Sequence, residues 1–480
     1  MKAFLTQVLD ALERERVDYG DVRVVEQRIE SLETKNGQVE GATSSLGSGF
    51  GVRVIVSGAW GFASSSKLEK AAVGKVVKEA VAIARASALV PGKKVVLSRE
   101  KPVKGKYRTR VVQDPFKVSL DEKLGVLLAA DGIMRKHNQV KVARGSMNFF
   151  RFHKYFASTE GSWVEQEITE SGAGITALAV EESEVQVRSY PNSLGGDFAS
   201  QGYEFVKSLA LAENADQIAG EACALLKASE LEPGERDIII SSSQLALQVH
   251  ESIGHPVELD RVLGTEASYA GTSFVTLNKL GKLKYASPIV SVYQDATIEG
   301  ALGSFGYDDE GVPAQRLPII KDGLFTGYLT SRETAPVIGR TSSGAMRADG
   351  WNRIPLIRMT NINLEPGTGR LKDLIADTGE GIYFGTNKSW SIDDKRLNFQ
   401  FGTEIAWEIK DGKLGRMFKN ATYTGITPQF WNSCDAICGR EEWKIWGLPN
   451  CGKGQPGQSA HVAHGAAPAR FRKVRVGVRG

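Results

Sequence analysis

Asp237-Ile-Ile-Ile-Ser-Ser-Ser-Gln-Leu-Ala-Leu-Gln-Val-His-Glu-Ser-Ile-Gly-His-Pro-Val-Glu-Leu-Asp260 is the stretch on which the reading of this chain turns. Ile238, Ile239 and Ile240 form a short apolar run that reads as a buried strand. The serines at 241–243 supply an N-cap, and Leu245, Ala246 and Val249 then recur with helical spacing. A strand feeding a helix is therefore expected here. The end of that helix carries His250-Glu-Ser-Ile-Gly-His255, two of the six histidines in the chain.

Two nearby histidines with a glutamate beside the first suit a hydrolytic metal site. Neutral imidazoles hold the ion, the ion acidifies a water, and the carboxylate takes the proton. The usual spacing is H-E-x-x-H, whereas here three residues separate Glu251 from the second histidine. At about 100° per residue, an i,i+5 pair lies roughly 140° apart on a regular helix. For both rings to meet one ion the helix must deviate, and a π-bulge would do this. Gly254 and Pro256, on either side of His255, make distortion or termination natural at this point. The same letters also fit two helix-end histidines, one hydrogen-bonded in the core and one in solvent.

Outward from this stretch, the 480 residues suffice for two or three domains. A hydrophobic share of 41% and a charged share of 24% are those of a soluble globular protein. Sixty Lys and Arg against 56 Asp and Glu leave a net charge of +4, and apart from the C-terminal tail nothing in that balance argues for nucleic acid or an anionic membrane as partner. The cysteines at 223, 434, 438 and 451 are too few and scattered for a disulfide framework and fit a reducing compartment. Neither a secretory leader nor an apolar run of about 18 residues is seen, so a cytoplasmic protein without membrane spans is expected.

The first half alternates helical and strand signals. Phe4, Leu5, Val8, Leu9 and Leu12 share a helical face, and helices are expected near 67–88, 117–137 and 203–226. Between them lie strand-like runs with a hairpin signal at Asn36-Gly37; residues 172–180 stay open between strand and loop. Leu231-Glu-Pro-Gly-Glu-Arg236 is a polar joint with Pro and Gly. The expectation is an α+β fold: an N-terminal domain at 1–230 of antiparallel sheet and long helices, and a mostly β, barrel- or sandwich-like domain at 231–480 carrying the histidine helix.

A catalytic zinc takes three protein ligands and keeps one position open. Glu258, Cys434, Cys438, Cys451, His461 and His464 are the later candidates for the third. Glu258 is read as orienting a ligand, Cys434 and Cys438 as buried structural thiols, and His461 and His464 as solvated. Cys451 lies in the glycine-rich Pro449-Asn-Cys-Gly-Lys-Gly-Gln-Pro-Gly-Gln458, where both a ligand and an inert loop cysteine are admissible.

Taken together, Gly-Phe-Gly-Val-Arg-Val at 49–54 with Trp60-Gly-Phe-Ala-Ser64, the 250–255 motif with Glu258 and Asp260, Asp308-Asp-Glu-Gly311, Arg358-Met-Thr-Asn361 and 449–458 make the chain resemble the TldD/PmbA metallopeptidases nearly end to end. The resemblance implies one Zn2+ per chain on His250, His255 and Cys451, with Glu251 as general base, and places the chain on the TldD-like, motif-bearing side. It further implies a homodimer, or a heterodimer with a PmbA/TldE-like subunit, that cleaves unfolded or extended peptides in an enclosed chamber. No oxyanion donor is assigned; Arg353 and Tyr307 are read as structural. The alternative is a non-catalytic, metal-stabilised subunit or regulator whose site is closed by Cys434 or Cys438. A nucleic-acid role for the basic tail at 470–479 has against it the tail's shortness and the balanced charge elsewhere.

Overall fold

The computed structural model describes residues 1–477, and the structural statements below concern those residues. Its first half is one eight-stranded sheet. The strands are β1 (Tyr19–Lys35), β2 (Gln38–Val56), β3 (Ala59–Ser65), β4 (Lys104–Arg108), β5 (Val140–Ser158), β6 (Trp163–Glu181), β7 (Glu184–Tyr190) and β8 (Asp197–Ala199). They run in the order β3-β2-β1-β5-β6-β4, with β7 and β8 also paired to β6. Asn36 and Gly37, both at positive φ, close the β1–β2 hairpin as their sequence demands.

Four long helices pack on this sheet: α1 (Lys2–Glu15), α2 (Lys70–Ser87), α3 (Leu120–Met134) and α4 (Leu211–Leu226). Leu5, Val8 and Leu12 of α1 pack with Val76 and Ala80 of α2 on Val22, Val24, Phe50 and Val52. Leu127, Ala130 and Met134 of α3 meet Ala219 and Ala222 of α4 over Phe149 and Ala177. Two readings are refined. Residues 172–180 are strand, inside β6; Gly172 is small because a Cβ there would lie 2.0 Å from the Phe198 ring. The helix expected over 203–226 is two helices, Tyr203–Ser208 and α4, parted where Ala210 turns left-handed at φ +50°.

The second half is built on a ten-stranded mixed sheet, curled as a half-barrel, which makes the whole chain α+β. At its centre is β9 (Gly234–Ile240), parallel to β10 (Gly381–Phe384) on one side. A separate hairpin of β11 (Lys444–Lys453) and β12 (Gln458–Ala466) follows, and β13 (Ala469–Val476) then flanks β9 antiparallel on its other side. Ile238, Ile239 and Ile240 are fully buried, as expected of an apolar run covered on both faces, each stabilising by about 1.5–3 kcal/mol over exposure. The basic tail is largely β13. Arg470 there pairs with Asp377 and Asp435, and Arg472 with Asp237 and Asp435, so these charges are matched by carboxylates of the same chain. Residues 478–480, including Arg479 of that tail, lie outside the described residues.

Candidate metal centre

β9 delivers the chain into α5 (Ser242–Val249), with Ser241 as N-cap. The helix then widens. Over His250–Gly254 it makes one π turn, in which the His255 N–H donates to the His250 carbonyl five residues back. A tight turn at His255–Val257, containing Pro256, ends it. Ser252 is the pin of the wide turn: its Oγ donates to Gln248 O at 2.6 Å and accepts from Trp431 Nε1 at 2.9 Å, while Tyr285 donates to its carbonyl. Gly254 has no alternative, since a Cβ would stand 2.0 Å from Met359 Sδ. The extra residue in the motif is thus absorbed by an extra residue in one helical turn.

The third donor comes from the β11–β12 hairpin. Its register shifts between Leu448 and Cys451, which re-aims the cysteine. Arg358 fixes the hairpin by donating to the carbonyls of Cys451 and Gln458. Cys451 Sγ lies 3.5 Å from His250 Nε2 and 3.8 Å from His255 Nε2, and one donor atom from each of the three lies within 4.8 Å of the others. All three residues are buried. Donors bound tetrahedrally at 2.0–2.3 Å stand about 3.3–3.8 Å apart, and both sulfur–nitrogen distances fall in that span.

The tautomers follow from the outer hydrogen bonds. His464 Nδ1 faces the Ile362 carbonyl at 3.2 Å, an acceptor only, so Nδ1 carries the proton and Nε2 accepts. His464 Nε2 lies 2.7 Å from His250 Nδ1, which therefore donates and leaves the His250 Nε2 lone pair toward Cys451. His255 Nδ1 donates to Glu258 Oε2 at 2.9 Å, with the same result on the second ring. Glu258 is itself met by the wholly buried Lys453 at 3.3 Å, whose ammonium also reaches Asp260 at 2.7 Å and the Ile357 carbonyl.

Burial pushes the His250 imidazole down and the His255 imidazole well down from their ordinary value, favouring neutral rings. Burial alone would raise the Cys451 thiol, but Arg358 and His255 outweigh it and hold it below the ordinary thiol value. Neutral imidazoles and a thiolate are the donor set that a borderline-soft divalent ion prefers. Glu251 lies within the π turn, and its Oε2 accepts from the Arg396 guanidinium at 2.5 Å.

The structure therefore brings His250, His255 and Cys451 together, with Glu258 behind His255. Cys434 and Cys438 are buried elsewhere; Cys434 sits on the strand Cys434–Ile437 against β13. The reading of His461 and His464 as solvated is overturned. His464 is fully buried behind His250, and His461 pairs with Glu170 at 2.5 Å and packs edge-on against Phe150. Strand periodicity held the clue. Cys451 pairs with Ala460, so residues 460, 462 and 464 share its face of the hairpin while His461 points to the other. Arg358 and Lys453 stand in two of the stretches that carry the resemblance but were given no role there, and Arg396 stands in none of them.

Models of the PmbA/TldA metallopeptidases match nearly the whole chain: domain 1 at residues 20–84, the central domain at 113–230 and the C-terminal domain at 233–477. A metalloprotease of Methanocaldococcus jannaschii is 30% identical over 94% of this chain and 96% of its own length. A protein of Saccharolobus solfataricus named a zinc metalloprotease and TldD homolog is 22% identical, covering 89% and 90% of the two chains. The crystal structure of TldE from Thermococcus kodakarensis superposes with a TM-score of 0.75 at 17% identity over 98% and 99% of the two chains, a likeness of fold. The chain belongs to the PmbA/TldD family of metallopeptidases, on the TldD-like side that bears the H-E-x-x-x-H motif.

Proposed function

We propose that this chain is a zinc-dependent peptidase that hydrolyses unfolded or extended peptides. The observation that carries the reading is the convergence of His250 Nε2, His255 Nε2 and Cys451 Sγ from two distant segments, with both histidine tautomers set to present lone pairs inward. These three side chains would hold one Zn2+, which when bound acidifies a water and polarises a carbonyl. Three protein ligands leave a fourth position open, the pattern of a catalytic site. Neither Cys434 nor Cys438 belongs to the cluster, so nothing favours a closed four-ligand structural site.

Glu251, one residue from a ligand, is the general base: it takes the proton from the attacking water and passes it to the leaving amine. The peptide is bound in extended form through its backbone, by strand-like pairing, which makes cleavage tolerant of sequence. Residues 1–230 form the chamber and dimerisation unit, and 231–480 the metallopeptidase unit. The partner is a second copy or a TldE-like subunit, a reading supported by the fold shared with TldE. Four free cysteines suit a cytoplasmic setting, and no helix among the described residues is long and apolar enough to cross a membrane.

The test is Glu251→Gln assayed on a quenched fluorescent, unstructured peptide, beside metal analysis. Cleavage should fall by about 10²–10⁴-fold with metal content unchanged. Wild-type cleavage by this variant, or cleavage unaffected when a chelator has emptied the site, would overturn the reading.

A further inference from the structure

The arginines around the centre divide into two kinds by what their guanidinium groups hold. Arg261 donates to the carbonyls of Ala270 and Thr272, Arg347 to those of Met359 and His461, and Arg358 to those of Cys451 and Gln458. Each is a clamp on backbone carbonyls, and Arg261 also pairs with Glu266 at 3.3 Å. Arg396 is different: among the described residues its guanidinium meets a carboxylate alone, from Nη1 to Glu251 Oε2 at 2.5 Å, while its Nε, like those of Arg261 and Arg358, is buried without an acceptor. Its side chain serves a single carboxylate and no backbone.

The backbone beneath Arg396 is fixed with care. Asp393 closes the turn: its carbonyl accepts from Arg396 N at 2.8 Å, and its carboxylate from Leu397 N at 2.7 Å and from Asn398. Thr427 Oγ1 donates to the Arg396 carbonyl at 3.0 Å. These bonds hold Arg396 at φ +60°, a left-handed conformation that a β-carbon disfavours. Such a conformation persists only where its surroundings over-determine it. What the arrangement delivers is a guanidinium placed against Glu251.

We infer that Arg396 is the positioning residue for Glu251, fixing one carboxylate oxygen so that the other is presented to the water at the metal centre. The inference rests on the hydrolytic reading above and deepens it. Glu251 follows His250 in a widened turn, where a carboxylate on three rotatable bonds would otherwise sample several orientations. Holding Oε2 turns an orientational search into a preset geometry, and misplacement of such a group costs about 10²-fold in rate. Arg396 touches no metal donor by hydrogen bond, so its loss should leave ion binding intact.

Arg396→Ala and Arg396→Lys should be compared with wild type and Glu251→Gln, reading bound zinc, kcat and KM on the same unstructured peptide. For Arg396→Ala we expect zinc content unchanged, KM within about threefold, and kcat lower by about 10²-fold. Added guanidinium should restore at least tenfold of that loss, and the lysine variant should fall between. A purely structural role would not give rescue by a free guanidinium. The inference fails alone if Glu251→Gln is inactive while Arg396→Ala keeps wild-type kcat, loses its zinc, or gains nothing from guanidinium. If Glu251→Gln cleaves as wild type, the hydrolytic reading falls and this inference with it.

Discussion

Two buried cysteine environments in one core show what separates a site from packing. Cys434 sits against β13, and among the described residues its thiol makes a single long hydrogen bond, to Ala436 O at 3.9 Å; burial pushes that thiol far above the ordinary value. Cys438 is driven the same way by burial, to about 12, with Glu442 and Asp373 adding to it. Cys451 is as inaccessible, yet Arg358 and His255 reverse the sign. The lesson is that burial does not make a cysteine a ligand. A bulge that re-aims it and a cationic neighbour that favours its thiolate do.

That contrast can be broken most severely by exchanging the thiols for hydroxyls. Cys451→Ser should lower zinc affinity by more than about 10²-fold in a competition titration, beyond the effect of removing any residue behind a ligand. Cys434→Ser should leave zinc affinity unchanged and lower stability by about 1–3 kcal/mol in denaturant, because a hydroxyl replaces an apolar-packed thiol. Equal zinc loss in both variants would erase the distinction.

A second, smaller effect should come from His464, which sets the His250 tautomer. His464→Phe fills the space but cannot accept from Nδ1, so zinc affinity should fall by about 10–100-fold. His464→Gln, whose amide can accept from His250 and donate to the Ile362 carbonyl, should lose less. If the two variants bind zinc equally, tautomer control is not what His464 provides.

The smallest effect is spectroscopic. In metal-free protein, thiolate absorbance in the ultraviolet should show one cysteine ionising below the ordinary thiol value and the other three above it. The sign follows from the neighbours: a depressed pKa means that thiolate persists as pH falls, which is the Cys451 case. Cys223, Cys434 and Cys438 are all raised. Cys451→Ser should delete the early step alone.

Much of this centre was readable in advance because its information is local. The i,i+5 spacing of His250 and His255 demanded a wide turn, and Gly254 and Pro256 marked where it ends. Glu258 behind His255 followed from three-residue proximity. The α+β character showed in helical spacing and hairpin signals, and Asn36-Gly37 takes the positive φ its turn requires. What escaped depends on register. His464 looked like a solvated neighbour of a basic tail, because its side-chain direction is known only once Cys451 is set opposite Ala460. Residues 172–180, rich in Gly and Ala, hid a buried strand, since Gly172 makes room for Phe198 and Gly174 for the Gly196 backbone rather than advertising β propensity. Arg396 reaches Glu251 across 145 residues by way of a left-handed turn, a contact no local pattern encodes.

The central claim is that one sulfur and two imidazole nitrogens meet at a single ion, and X-ray absorption at the metal edge of zinc-loaded protein measures this directly. The account predicts two nitrogen scatterers at about 2.0–2.1 Å, one sulfur at about 2.3 Å and one further light atom, with the sulfur shell gone in Cys451→Ser. A shell without sulfur in the wild type, or one with two or more sulfurs, would contradict it.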